Sequence, residues 1–204
     1  MKRTFISLAA VTCAALTSIQ LTGCDATDAA YFNLAAQCYS RYPNDSWAQQ
    51  QCVDQGSAII SDYQAEQQCD NEVAFHDRQL NYYWDMGDAN RRLQDETYNM
   101  VAAYSGTIQQ CLRQRSYNEC YQQHTGPTLT QISQTRNYLN QFHEYQNTVM
   151  DYRQGLINRC SRYYTFGRVT FENSSYFTEN HNVYNAWQSS VTDRTDYWRR
   201  YYNR

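Results

Sequence analysis

The chain has 204 residues, carries a net charge of −3, and sets 17 Lys and Arg against 20 Asp and Glu. A mildly acidic chain without a basic field lacks the electrostatic footprint of a nucleic-acid binder. Only two prolines and seven glycines interrupt it, a composition that favours long helices.

The first element is an export signal. Met1-Lys2-Arg3 is a short cationic start, and Thr4 to Gln20 is uncharged and mostly apolar or small. The run is too short and too interrupted by Thr, Ser and Gln to span a bilayer. It closes on Leu21-Thr22-Gly23-Cys24. This tetrapeptide resembles the lipobox of bacterial lipoproteins: an aliphatic residue, two small residues, then the cysteine. The resemblance covers residues 1–24 only. It implies that residues 1–23 are removed, that Cys24 is diacylated on sulfur, and that the chain is held at a membrane through it. Several acyl chains together anchor durably, at ~0.8 kcal/mol per buried methylene. Asp25 resembles the retention signal of the inner membrane facing the periplasm, with the outer membrane as the alternative site in the cell envelope.

Removal of the leader leaves 181 residues, 24–204, enough for one domain with its own core. Lys2, the only lysine, leaves with it. Six cysteines then remain besides Cys24: Cys38, Cys52, Cys69, Cys111, Cys120 and Cys160. An even number in an exported chain reads as a disulfide framework. No C-x-x-C occurs, so neither a thioredoxin-like redox motif nor haem attachment is indicated, and the spacings miss zinc-ribbon patterns.

Thr27 caps a first helix through Phe32 and Tyr39, which Pro43 ends. Asn44 or Asp45 caps a short second helix through Trp47 and Val53, stopped by Gly56. Residues 24–56 thus form a helical hairpin, and residues equidistant from its turn face each other. That geometry pairs Cys38 with Cys52. From 57 to 204 the pattern is that of a helical bundle. Val73, Leu80, Trp84, Val101, Tyr104, Ile108 and Leu112 recur at helical spacing, with Gly87-Asp88 and Gly106 as weak points. Ser116-Tyr117-Asn118-Glu119 is a capping box, and Cys111 and Cys120 straddle it symmetrically as a second pair.

Gly126-Pro127 reads as a break. Beyond it, Leu129, Ile132, Leu139, Phe142, Val149, Leu156 and Tyr163 form one stripe, predicting a helix over 128–165. Its ~38 residues would span roughly 57 Å, which predicts an elongated molecule. Cys160 near its end is left to pair with Cys69, a 91-residue loop worth about 4–5 kcal/mol in the chain-entropy model. Around 165–180, Val169, Phe171, Tyr176 and Phe177 allow a short β-hairpin. A last helix runs from Val183 through Trp187, Val191, Trp198 and Tyr201. The expected fold is all-α: an elongated antiparallel bundle with a disulfide-pinned N-terminal hairpin.

Chemistry-bearing patterns are sparse. His76 shares a face with Val73, Leu80 and Tyr83, but Glu72-x-x-x-His76 occurs once and misses the Glu-x-x-His spacing of di-iron bundles. A core or boundary histidine explains it better than a metal ligand. His143 has no second ligand nearby in sequence, and His124 and His181 fall in predicted turns. No metal and no cofactor are expected. Asp85 with Asp88, and Asp95 with Glu96, read as solvated helix faces. There is no Gly-x-Ser-x-Gly and no phosphate-cradling loop, so the chain reads as non-enzymatic.

The aromatic clusters are the unusual feature: Tyr82-Tyr83-Trp84, and Trp198, Tyr201 and Tyr202 near the end. Adjacent aromatics on a helix point apart, so part of each cluster faces solvent, where Tyr and Trp suit recognition. Arg199 and Arg200 complement the negative end of the last helix dipole, with contact to anionic lipid as the rival account. Together these features predict a lipid-anchored interaction or structural protein of the cell envelope with a protein partner. A module binding cell-wall glycan or another small ligand is the alternative, and a periplasmic enzyme using His76 or a carboxylate pair is the third.

Overall fold

A computed structural model of the chain describes residues 26–202, all placed in five helices and their connections, with no strand among them. The export signal, Cys24 and Asp25 lie outside the described residues, as do Asn203 and Arg204. The helices are α1 (Ala26–Arg41), α2 (Ser46–Leu112), α3 (Tyr117–Cys120), α4 (Gly126–Cys160) and α5 (Ser174–Tyr202). The fold is an all-α bundle. It comprises two compact units, one up to Asn71 and one from Glu72 onward.

The N-terminal unit is an antiparallel helical hairpin. Its turn is closed by Asp45, whose carboxylate accepts the N–H groups of Trp47 and Ala48 at 3.1 and 2.9 Å and so caps α2. The Cys38–Cys52 disulfide, 5.7 Å between Cα atoms, pins the two helices seven residues either side of that cap. Further out, Gln64 Nε2 donates to Thr27 Oγ1 at 2.5 Å. Between these contacts, Gly56 faces Leu34, and a Cβ there would collide with the leucine side chain.

The expected stop at Gly56 is therefore overturned. Gly56 serves close approach, and α2, 67 residues long in all, continues through it. Neither Gly87-Asp88 nor Gly106 interrupts it. A glycine costs a helix only about 1 kcal/mol relative to Ala. At Gly87 the Phe142 ring packs over the bare backbone, 3.4 Å from where a Cβ would lie.

In the second unit, α2, α4 and α5 pack around a common core. Contacts pair Glu72 with Arg159, Tyr83 with Gln146 and Thr97 with Thr135, so α2 and α4 run antiparallel. Arg136 with Gln188 and Phe142 with Phe177 make α4 and α5 antiparallel as well. The stripe on α4 is the spine of this core: Ile132, Leu139, Phe142, Val149 and Leu156 are all buried. Phe177, Tyr184 and Val191 of α5 follow the same heptad spacing and are buried too.

The capping box at α3 is present. Ser116 Oγ accepts the Glu119 N–H, and the Glu119 carboxylate accepts the Ser116 N–H at 3.0 Å. Cys111–Cys120 bridges that turn with 5.7 Å between Cα atoms. Cys69 and Cys160 are likewise disulfide-bonded.

Further expectations are corrected here. Gly126-Pro127 does not break the chain. Tyr121–Thr125 forms a π-helical turn that leads straight into α4, with the Gly126 N–H donating to the Tyr121 carbonyl five residues back. The wider turn makes room for Pro127, which has no N–H and whose ring obstructs the carbonyl four residues earlier. His124 consequently lies in this turn, and His181 lies inside α5 rather than in a loop.

The helix expected over 128–165 ends at Cys160. No β-hairpin forms over 165–180: residues 164–173 are irregular and α5 begins at Ser174, nine residues before the expected Val183. Asn173 Oδ1 accepts the Tyr176 N–H at 2.9 Å and starts that helix. The irregular segment satisfies its backbone on the bundle instead of on a second strand. The Glu172 N–H donates to Tyr83 OH at 3.1 Å, and the Glu172 carbonyl accepts from Gln146 Nε2 at 2.7 Å.

Candidate functional site

Val73, His76 and Leu80 recur at helical spacing along one face of α2, with Asp77 beside them. Opposite, α4 presents Arg153, and residues 164–169 cross over the gap. Together they line an open cleft of about 270 Å³, at the small end of the range for ligand sites.

The polar centre of this cleft is a histidine–arginine pair. His76 is 2% exposed, and Arg153 Nη1 lies 3.1 Å from its Nε2. A guanidinium only donates, so Nε2 is the acceptor and the imidazole proton sits on Nδ1. Burial, and then the Arg153 charge, hold the His76 pKa below its ordinary value, with Gln79 and Asp77 pulling the other way. The ring is therefore neutral near pH 7. Tyr152 covers one side at 5.9 Å between centroids.

Arg153 is fixed at a second point, since Nη2 donates to the Gly167 carbonyl. Its guanidinium also sits 5.9 Å from the centre of the Phe166 ring. The His76 lone pair at Nε2 is engaged by Arg153. Among the described residues, no group of three or more His, Cys, Asp or Glu side chains is arranged to hold a metal ion. The cleft holds a positioned cation and an apolar wall, which is equipment for binding.

The expected aromatic surface divides. Tyr82 and Trp84 are exposed, but Tyr83 is only 1% exposed. That corrects its place on a binding surface: its ring stacks on Phe142 at 5.2 Å inside the core, and burial raises its phenol pKa. Tyr82 packs edge-on against Tyr145 of α4. At the end of α5, Trp198 is half-buried against the core while Tyr201 and Tyr202 are exposed. Tyr197, absent from the aromatic set expected from the sequence, completes a continuous cluster. Tyr197 contacts Trp198 at 5.0 Å, Trp198 contacts Tyr201 and Tyr202 at 5.9 and 6.1 Å, and Tyr197 stacks on Tyr201 at 6.4 Å. The i, i+4 spacing of Tyr197 and Tyr201 was the available signal.

Arg153, Phe166 and Arg168 are likewise absent from the site residues expected from the sequence. For Arg153 a signal existed: it lies four residues after Val149 and three before Leu156, placing a charge beside the buried stripe. Comparison of the sequence with protein-family profiles and characterised proteins, and of the fold with solved structures, finds no match.

Proposed function

We propose that this chain is an exported bacterial lipoprotein that works by binding rather than by catalysis. Acyl chains on Cys24 hold it at the envelope, on the inner membrane facing the periplasm if Asp25 acts as the retention signal. There it presents the aromatic end of α5 to a protein partner. The single observation that carries this reading is the four-ring cluster Tyr197, Trp198, Tyr201 and Tyr202. Its three tyrosines are 56%, 61% and 44% exposed. Contiguous exposed rings with polar tips offer broad contact area and few torsions to immobilise, which is the profile of binding hot spots. Disulfide-bonded cysteines throughout the described chain support an oxidising compartment.

The test is photo-crosslinking in living cells from a photoreactive residue replacing Tyr202, read by mass spectrometry. Amine-directed reagents are unsuitable because the segment after the leader has no lysine. The expected result is one dominant protein adduct that disappears with Cys24→Ala. Absence of any protein adduct, both from this position and from a second photoreactive residue replacing Tyr201, overturns the reading.

A further inference from the structure

We infer that the cleft between α2, α4 and residues 164–169 is a binding site for a small organic carboxylate with an apolar body. This site is independent of the aromatic end of α5 and stands whether or not a protein docks there.

The charge pattern is the first argument. Arg91 and Arg159 each take a carboxylate partner, Asp88 at 2.6 Å and Glu72 at 2.5 Å. Arg153 and Arg168, both lining the cleft, take none among the described residues. Arg153 hydrogen bonds only to neutral acceptors, the His76 ring and the Gly167 carbonyl. A half-buried cation without a counter-charge is costly to hold, and a bound anion relieves that cost.

Geometry is the second. Two hydrogen bonds and the Phe166 ring fix the guanidinium before anything binds, so little ordering remains to be done on association. A planar, pre-positioned guanidinium matches a carboxylate closely. Neutral His76 accepts at Nε2 and contributes no competing proton there.

The walls set the rest of the ligand. Val73, Leu80, Phe166 and Val169 give the cleft an apolar side, which calls for a hydrocarbon or aromatic body. Asp77 also lines the cleft and penalises a second negative charge. With part of the Arg153 donor set already committed, a phosphate dianion is poorly served, whereas a monoanionic carboxylate fits.

The test is a heteronuclear NMR titration of the purified full chain with phenylacetate, phenylacetamide and inorganic phosphate. Phenylacetate is expected to shift Phe166, Gly167 and His76 signals saturably. Phenylacetamide, which lacks the charge, should bind at least about ten-fold more weakly, the scale of one charge-assisted hydrogen bond. Arg153→Lys should weaken phenylacetate binding about ten-fold or more. Because that residue also supports the fold, Arg168→Gln on the exposed rim provides the independent check, with a loss of roughly three- to ten-fold. Equal binding of acid and amide, tighter binding of phosphate, shifts mapping elsewhere, or no saturable shift overturns the inference.

Discussion

The hydroxyl of Tyr104, on α2, lies 2.7 Å from that of Thr195, on α5, at a point where both side chains are buried. Thr125, at the end of the π turn, reaches the same phenol at 2.8 Å. One oxygen thus joins three segments of the second unit through two hydrogen bonds. Tyr104→Phe keeps the ring and deletes both, leaving two buried threonine hydroxyls short of a partner. Thr195 retains a bond to the Val191 carbonyl, so the cost should fall at about 1–3 kcal/mol. Urea denaturation measures it, and a double-mutant cycle with Thr195→Val should be clearly non-additive.

His76 makes stability depend on pH in a stated direction. Above about pH 6.5, its ordinary value, the ring is neutral in both the folded and unfolded chain. Below that the unfolded chain takes up the proton first, because the folded pKa is the lower of the two. Stability therefore falls as pH drops through this range, and the loss levels off below the folded pKa. His76→Gln preserves an acceptor for Arg153 and should flatten the slope. Denaturation midpoints between about pH 8 and 5 provide the measurement; parallel slopes for the two proteins would rule the assignment out.

The opposite end of the pH scale is governed by buried phenols. Burial pushes Tyr184 up to about 12, with Gln94 offsetting only part of the shift. Burial also raises Tyr138, Tyr145 and Tyr152. Each contributes stability that is intact below pH 10, where phenols ionise in the unfolded chain, and is lost as pH climbs toward the folded value. Tyr184→Phe should remove part of the alkaline loss while changing stability near pH 7 by no more than about 1 kcal/mol, the scale of a single hydrogen bond. Phenolate absorbance, followed alongside helical circular dichroism, should show these tyrosines ionising together with unfolding.

Two glycines of the same helix should respond to alanine with opposite signs. At Gly106 an added Cβ meets nothing within 4 Å, so Gly106→Ala should gain about 1 kcal/mol of helix propensity. At Gly56 the new methyl strikes Leu34, and Gly56→Ala should gain less than that or destabilise the hairpin. Thermal melts of the two variants decide the matter, and an equal gain at both positions would contradict the close packing of Leu34.

What was legible in the sequence was whatever local chemistry decides. The Ser116–Glu119 capping box, a cap at Asn44 or Asp45, the Cys38–Cys52 and Cys111–Cys120 pairs and the α4 stripe all follow from short-range spacing. The failures share a cause. Gly56, Gly87 and Pro127 are punctuation in a local reading, but tertiary contacts decide whether they interrupt a helix. Val169 and Phe171 alternate as a strand would, yet the backbone near them bonds to Tyr83, Gln146 and Arg153, which are far away in sequence. The cleft was hidden for the same reason. His76 stands alone in the sequence, and no spacing rule brings residue 153 or residues 164–169 to it.

The wide turn at Tyr121–Thr125 also sets an angle. One residue of α-helix corresponds to about 100° of rotation, and a π turn absorbs roughly one extra residue within its span. Straightening it into regular helix, with no residue removed, would swing Tyr117 and Cys120 by about that angle relative to the buried stripe of α4. Cys120 would then leave Cys111. The turn thus works as a phase shifter, held on one side by the missing N–H of Pro127 and on the other by the covalent link across α3. It lets two helical segments that are out of step in sequence face one core.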